Sequence, residues 1–216
     1  LAATTTIRQI GEAVAAQVDL DKLLALSRKD PLPVPPSAEI SPPPVADKVR
    51  IGIARDRAFG FYYADDLDAL EAAGATLVPF DTLADARLPE VDALYIGGGF
   101  PEACAAELEA NATLRSGIRQ AIASGMPAYA ECGGLMYLSR GIAYEGRTYE
   151  MVGAIPGDVV MHERPVGRGY VELERTADFP WPAAGDSGAS VRAHEFHYSS
   201  LENLPADARY AYTVRR

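Results

Sequence analysis

The sequence predicts an α/β domain: a mostly parallel sheet with helices on both faces and a more β-rich C-terminal part. Two observations carry this. From Val49 onward, short apolar runs alternate with helical stretches, the pattern of strand–helix–strand units. Past residue 140 the helical stretches stop and short β-like segments take over. Upstream, residues 1–29 read as helical and residues 30–47 as a Pro-rich linker, so that the domain proper occupies residues 48–216.

In residues 1–29, Ile7, Ile10 and Val14 recur at three- and four-residue spacing and form one apolar stripe. Asp19 is placed as an N-cap for a short helix through Leu23, Leu24 and Leu26. Two short helices cannot bury such stripes alone. They are expected to be the tail of something larger or to pack on the main domain. The linker carries Pro31, Pro33, Pro35, Pro36, Pro42, Pro43 and Pro44, a density that excludes helix and sheet and favours polyproline II. Val49–Ala54, Ala75–Phe80, Val91–Ile96 and Ala128–Glu131 read as buried strands. Asp65–Ala73, Ala103–Glu109, Thr113–Ser124 and Gly133–Leu138 read as helices, with Gly74 and Gly125 as stops. Met151–Val160, Gly169–Leu173 and Arg209–Val214 are the later β-like segments.

Composition excludes several classes of function. With 48% hydrophobic and 23% charged residues, a 216-residue chain can bury a core without disulfides or a structural metal. A net charge of −10 argues against binding nucleic acid through its phosphates. The lysines, Lys22, Lys29 and Lys48, all lie outside Gly-rich turns, so no Walker A site is expected. No apolar run is long enough for a membrane span, and no secretory signal is recognisable. Cys104 and Cys132 are too few for a disulfide framework, which points to a reducing compartment, the cytoplasm. A chain that begins at Leu1 rather than Met suggests a fragment or a processed product.

Three constellations could carry chemistry. Ala130-Glu131-Cys132-Gly133-Gly134 lies between a strand and a helix, the setting of a nucleophile elbow. There the sulfur would sit near a helix N-terminus, and the Gly133 N–H would point toward an oxyanion. A lone cysteine is more often structural, and Cys104 is read so, as core filler. Gly97-Gly98-Gly99 ends a strand on the sheet edge where ligands bind, and Gly99 or Gly98 could supply a second oxyanion donor. His194-Glu195-Phe196-His197 supplies the base a nucleophilic cysteine needs. The two histidines also suggest a metal pair, but no third ligand lies near them, and no metal site is expected.

Taken together, Tyr95-Ile96-Gly97-Gly98-Gly99-Phe100-Pro101-Glu102, Ala130 to Leu138 and His194-Glu195-Phe196-His197-Tyr198-Ser199 resemble a known family. It is the class I glutamine amidotransferase domain of cobyrinic, or hydrogenobyrinic, acid a,c-diamide synthases. The resemblance runs from Lys48 to the C-terminus, and residues 1–47 resemble the end of the preceding ATP-binding domain and its linker. It implies a flavodoxin-like fold with Cys132 as nucleophile, His197 as base and an oxyanion hole on Gly99 and Gly133, with Gly98 as the neighbouring candidate. It implies glutamine hydrolysis that supplies ammonia for amidation of the a and c acetates of a corrin precursor. ATP and Mg²⁺ are expected on the N-terminal synthetase domain, and no cofactor on this segment. The implied partners are glutamine, the corrinoid through the synthetase domain, and an optional homodimer, with no nucleic acid or membrane.

One departure stands out. Many class I glutaminases carry a Glu two residues after the histidine, and here that position is Ser199. A Cys-His dyad is therefore expected, with Glu195 and a backbone carbonyl as the two candidates for orienting His197. Two other readings compete: a non-catalytic docking or regulatory module of a synthetase, and a stand-alone γ-glutamyl cysteine hydrolase. A similar enzyme type amidates nickel sirohydrochlorin, and nothing in these motifs reads the macrocycle.

Overall fold

The structure is a computed structural model that describes residues 2–29, 48–181 and 190–216. The Pro-rich linker, residues 30–47, lies outside the described residues. The chain divides into two units, Leu1–Ile40 and Ser41–Arg216, and each is described by itself.

The first unit contains helix α1 (Ala2–Gln17) and helix α2 (Leu20–Ser27). The Asp19 carboxylate caps α2 by accepting from the Lys22 N–H at 2.9 Å, as the sequence predicts. The apolar stripe is exposed: Ile7, Ile10, Val14, Leu23, Leu24 and Leu26 all face solvent.

The second unit begins with β1 (Arg50–Ala54), β2 (Phe59–Phe61), α3 (Ala64–Ala72), β3 (Thr76–Phe80), β4 (Ala93–Ile96) and β5 (Gly98–Gly99). A 3₁₀ turn over Pro101–Cys104 leads to α4 (Ala105–Ala110) and α5 (Ala112–Ala123), then β6 (Ala128–Ala130) and α6 (Gly133–Leu138). The remaining strands are β7 (Gly141–Tyr144), β8 (Arg147–Glu150), β9 (Asp158–Met161), β10 (Gly167–Arg175), β11 (Val191–His197), β12 (Ser199–Glu202) and β13 (Tyr212–Arg215).

The central sheet is parallel, in the order β3-β1-β4-β6. After β1 the chain runs outward to β3, then returns to the other side of β1 for β4 and β6. The reversal point is therefore between β1 and β4, where parallel sheets open a crevice at their C-terminal ends. Leu94 and Ile96 point into a core shared with Leu108, Leu114 and Ile118 from α4 and α5, all essentially inaccessible. On the opposite face, Ala69 and Leu70 of α3 border a cavity of about 600 Å³ together with Ile51 and Tyr95 of the sheet. Gly74, at φ 93°, is the C′ residue of α3 that the sequence assigns.

The sequence reading omits six strands, β2, β5, β7, β8, β11 and β12. It takes Gly97–Gly99 as a loop, whereas Gly98 and Gly99 pair antiparallel with β2. The cause is Asp56, which accepts from the N–H groups of Ala58 and Phe59 and from both the N–H and hydroxyl of Thr82. That turn sets β2 beside the glycines, and segments this short carry no periodicity to read. β7, β8, β11 and β12 are equally short or rich in charge. Conversely, Met151–Val160 is strand only from Asp158. Its first carbonyls are taken by arginine side chains instead: Arg115 donates to Met151 O at 2.7 Å and Arg119 to Val152 O at 2.5 Å.

The turn between β6 and α6 is tight. Cys132 adopts φ 50°, ψ −115°, a conformation an L-residue takes only at a cost of roughly 1–3 kcal/mol. It is held from both sides. Glu131 N–H donates to Ile96 O at 3.2 Å, and Gly134 N–H lies within 3.1 Å of Gly97 O. A Cβ on Gly134 would fall 2.0 Å from Ile96 O, so only glycine permits this contact.

Two outcomes follow. Leu114→Ala, a truncation in the closed core, lowers stability by about 2–5 kcal/mol in urea denaturation. Cys132→Gly melts higher than Cys132→Ala, by about 1 kcal/mol, because glycine releases the strain at the turn. Equal stabilities would show the turn to be unstrained.

Candidate functional site

A cavity of about 1110 Å³ opens at the C-terminal edge of the parallel sheet. Cys132, Gly98, Glu131, Glu195, His197 and Ser199 all border it. The segments that follow β4 and β6 supply the glycines and Cys132, and the later antiparallel strands supply the histidine. Residues 65 positions apart in sequence thus border one space.

On the cysteine side, Cys132 is exposed and unpaired. A Cβ on Gly98 would stand 3.7 Å from Cys132 Cβ, so the second glycine of the triplet lies directly against the cysteine. A Cβ on Gly133 would fall 2.9 Å from both the N and O of Gly99, which makes these two peptide groups immediate neighbours. Gly133 is the first residue of α6, so its N–H has no partner within the helix. Gly99 is locked in turn, since a Cβ there would meet Ala58 O at 1.8 Å. Gly98, Gly99, Gly133 and Cys132 are thus brought together. Gly98 and Cys132 face the cavity itself, while Gly99 and Gly133 adjoin them.

Tyr62 fixes the glycine triplet, and the sequence reading misses it. Its hydroxyl donates to Ala54 O at 2.6 Å and accepts from Gly97 N–H at 3.2 Å. Burial pushes the phenol above its ordinary range, so the donor stays protonated. The first of two adjacent tyrosines after Gly60-Phe61 offers no signal that could have marked it.

On the histidine side, His197 ends β11 and pairs across the ladder with Gly167. A Cβ at Gly167 would lie 2.1 Å from His197 Nε2, so the ring occupies the space of the missing side chain. Nδ1 is 2.7 Å from Ser199 O. A carbonyl oxygen can only accept, so Nδ1 carries the hydrogen, and in the neutral tautomer this selects, Nε2 is the nitrogen that bears the lone pair. The backbone carbonyl of Ser199 thereby orients the ring from the position where the wider class carries Glu.

Alternation along β11 puts Glu195 and His197 on one face and His194 on the other. The His194 ring packs on Tyr170 at 5.4 Å, although the residue also borders the cavity. Glu195 Oε2 lies 3.8 Å from His197 Nε2, and Arg216 holds the same carboxylate at 3.0 and 3.1 Å. The Arg216 guanidinium keeps the Glu195 carboxyl below the usual carboxylate range.

Glu131, beside the cysteine, accepts from the Tyr129 hydroxyl at 3.0 Å. Burial, and then the Glu131 charge, pushes Tyr95 up to about 12 and raises Tyr129 as well. Cys104 is buried away from the cavity, and burial raises its thiol, which fits its reading as core filler. Among the described residues no three His, Cys, Asp or Glu side chains converge as a metal site. None of the described helices is long and apolar enough to cross a membrane.

Residues 50–216 match the CobB/CobQ-like glutamine amidotransferase domain. Proteins named cobyrinate a,c-diamide synthase are similar over nearly the whole chain. That of Magnetococcus marinus is 42% identical over 98% of this chain, and that of Methanosarcina barkeri 41% over 97%. The chain spans less than half the length of these relatives, 46% and 45%. Among solved structures, PurLQS from Thermotoga maritima superposes with a TM-score of 0.57 at 17% identity, over 79% of this chain and 76% of that one. A glutamine amidotransferase crystal structure superposes at 0.52 and 15% identity, over 77% and 84%. These two establish a shared fold. With the family match covering residues 50–216, the chain belongs to the CobB/CobQ-like glutamine amidotransferase domains.

Proposed function

We propose that this chain is the glutaminase part of an ATP-dependent amidoligase. It hydrolyses glutamine through a Cys132 thioester and supplies ammonia for the a and c acetate side chains of cobyrinate in cobalamin biosynthesis. The observation that carries this reading is that Cys132 and His197 border one cavity, with Nδ1 of the histidine already committed to Ser199 O. The acceptor is inferred from the names of relatives that are 41–42% identical.

Cys132 gives its thiol proton to His197 Nε2, and the sulfur attacks the carboxamide carbon of glutamine. The N–H groups of Gly133 and Gly99, with Gly98 alongside, would receive the oxyanion; one such donor is worth roughly 2.7–4 kcal/mol. His197 then returns the proton to the departing nitrogen, and ammonia leaves. Water adds to the thioester, glutamate is released and the thiol is restored.

Residues 1–29 are read as the end of the synthetase domain, 30–47 as the linker and 48–216 as the amidotransferase domain. The relatives align across 98% of the chain while the family match begins at residue 50, which supports this division. The exposed stripe of α1 and α2 is what a severed domain end would leave. ATP and Mg²⁺ are assigned to a synthetase domain outside this segment, a reading supported by the length of the relatives, of which this chain spans less than half.

In the full-length enzyme, Cys132→Ser abolishes glutamine-dependent amidation and leaves amidation driven by ammonium salts intact. Full glutamine-dependent turnover in that variant would remove the assignment. His197→Asn lowers glutaminase kcat by about 10²–10⁴-fold, measured as glutamate release.

A further inference from the structure

The Ser199 carbonyl leaves a task undone. It fixes the tautomer of His197, but a neutral acceptor carries no full charge to balance the imidazolium that forms when Nε2 takes the thiol proton. Before attack the thiolate provides that balance. Once the sulfur is bonded to carbon, the negative charge has moved to the oxyanion and its N–H donors. The imidazolium must then hold its proton until the leaving nitrogen collects it.

Glu195 is placed to fill this need. It sits two residues before His197 on the same strand, so both side chains project from one face. Its Oε2 is 3.8 Å from Nε2, beyond hydrogen-bond reach and within ion-pair distance once the ring is protonated. Only 18% of the side chain is exposed, which limits screening by water. Arg216 donates to both oxygens, at 3.0 and 3.1 Å, but its own side chain is 67% exposed, so this outer pair adds little to where the carboxylate stands.

We infer that Glu195 is the positioning residue of the site: it balances the His197 imidazolium from the Nε2 side, in place of a carboxylate on the Nδ1 side. It touches neither glutamine nor the sulfur in this role and acts through His197. The inference rests on the glutaminase reading above.

The test uses the full-length enzyme, with glutaminase and ammonia-driven amidation measured in parallel. Glu195→Gln lowers glutaminase kcat by about tenfold at unchanged glutamine KM, leaves ammonia-driven amidation intact, and is partly rescued in Glu195→Asp. Arg216→Gln breaks the same ion pair but keeps the Glu195 charge, and it stays within about threefold of the parent kcat. Equal losses in Glu195→Gln and Arg216→Gln would reduce the pair to a structural tie and overturn the inference. So would native kcat in Glu195→Gln while Cys132→Ser is dead, an outcome that leaves the glutaminase reading standing. If Cys132→Ser keeps native glutaminase activity, both readings fall together.

Discussion

The close contact of α6 with the ends of β4 and β5 governs the rest of the site. Ile96 O stands where a Gly134 side chain would begin, and the Gly99 peptide stands where a Gly133 side chain would begin. Any larger residue at either position would push α6 outward. Cys132 would then relax from its left-handed backbone, and the peptide groups beside it would separate. The contact is itself braced from the far side. Asp56 gathers four donors into the turn before β2, β2 pairs with the glycines, and the Tyr62 hydroxyl ties Gly97 to the end of β1. The strain at Cys132 is thus sustained by hydrogen bonds distributed over three neighbouring segments.

The histidine arm obeys the same economy of space. Gly167 yields its volume to the imidazole, and the next strand, β12, bends back so that Ser199 presents its carbonyl to Nδ1. The pairing of β12 with β9 holds that carbonyl in place: Ser199 lies opposite Met161 and Ser200 opposite Val160. The Ser200 hydroxyl, between His162 Nε2 and Glu202, adds a side-chain brace across the same pair of strands. A backbone acceptor orients a ring as well as a carboxylate does but does not balance its charge. A thiolate nucleophile tolerates this better than an alkoxide would, because the sulfur carries its own negative charge beside the imidazolium.

Much of this was legible in the sequence, and what was not has a physical reason. The buried strands β1, β3, β4 and β6 show as apolar runs, and Gly74 and Gly125 mark helix ends through their positive φ. Cys132, with Gly-Gly after it, marks the elbow; the need for a distant base points to the pair His194 and His197, and only the family resemblance selects His197. Which backbone groups would do the work was partly hidden. Gly98 and Gly99 form a strand only because Asp56 folds β2 against them, a contact made across about forty residues. Tyr62, Gly167 and the Ser199 carbonyl act through cross-strand geometry, which depends on register rather than residue type. Two candidates for orienting His197 were open from the sequence alone. The structure divides them by atom, with the carbonyl at Nδ1 and Glu195 near Nε2.

The central claim is that Cys132, and not Cys104, is the nucleophile toward a glutamine carboxamide. Its most direct test is covalent trapping of the native protein with a diazoketone analogue of glutamine, followed by peptide mapping in a mass spectrometer. The account predicts one adduct, on the peptide carrying Cys132, suppressed by excess glutamine, with the buried Cys104 unmodified. An adduct on Cys104, or labelling of Cys132 that glutamine does not suppress, would contradict it.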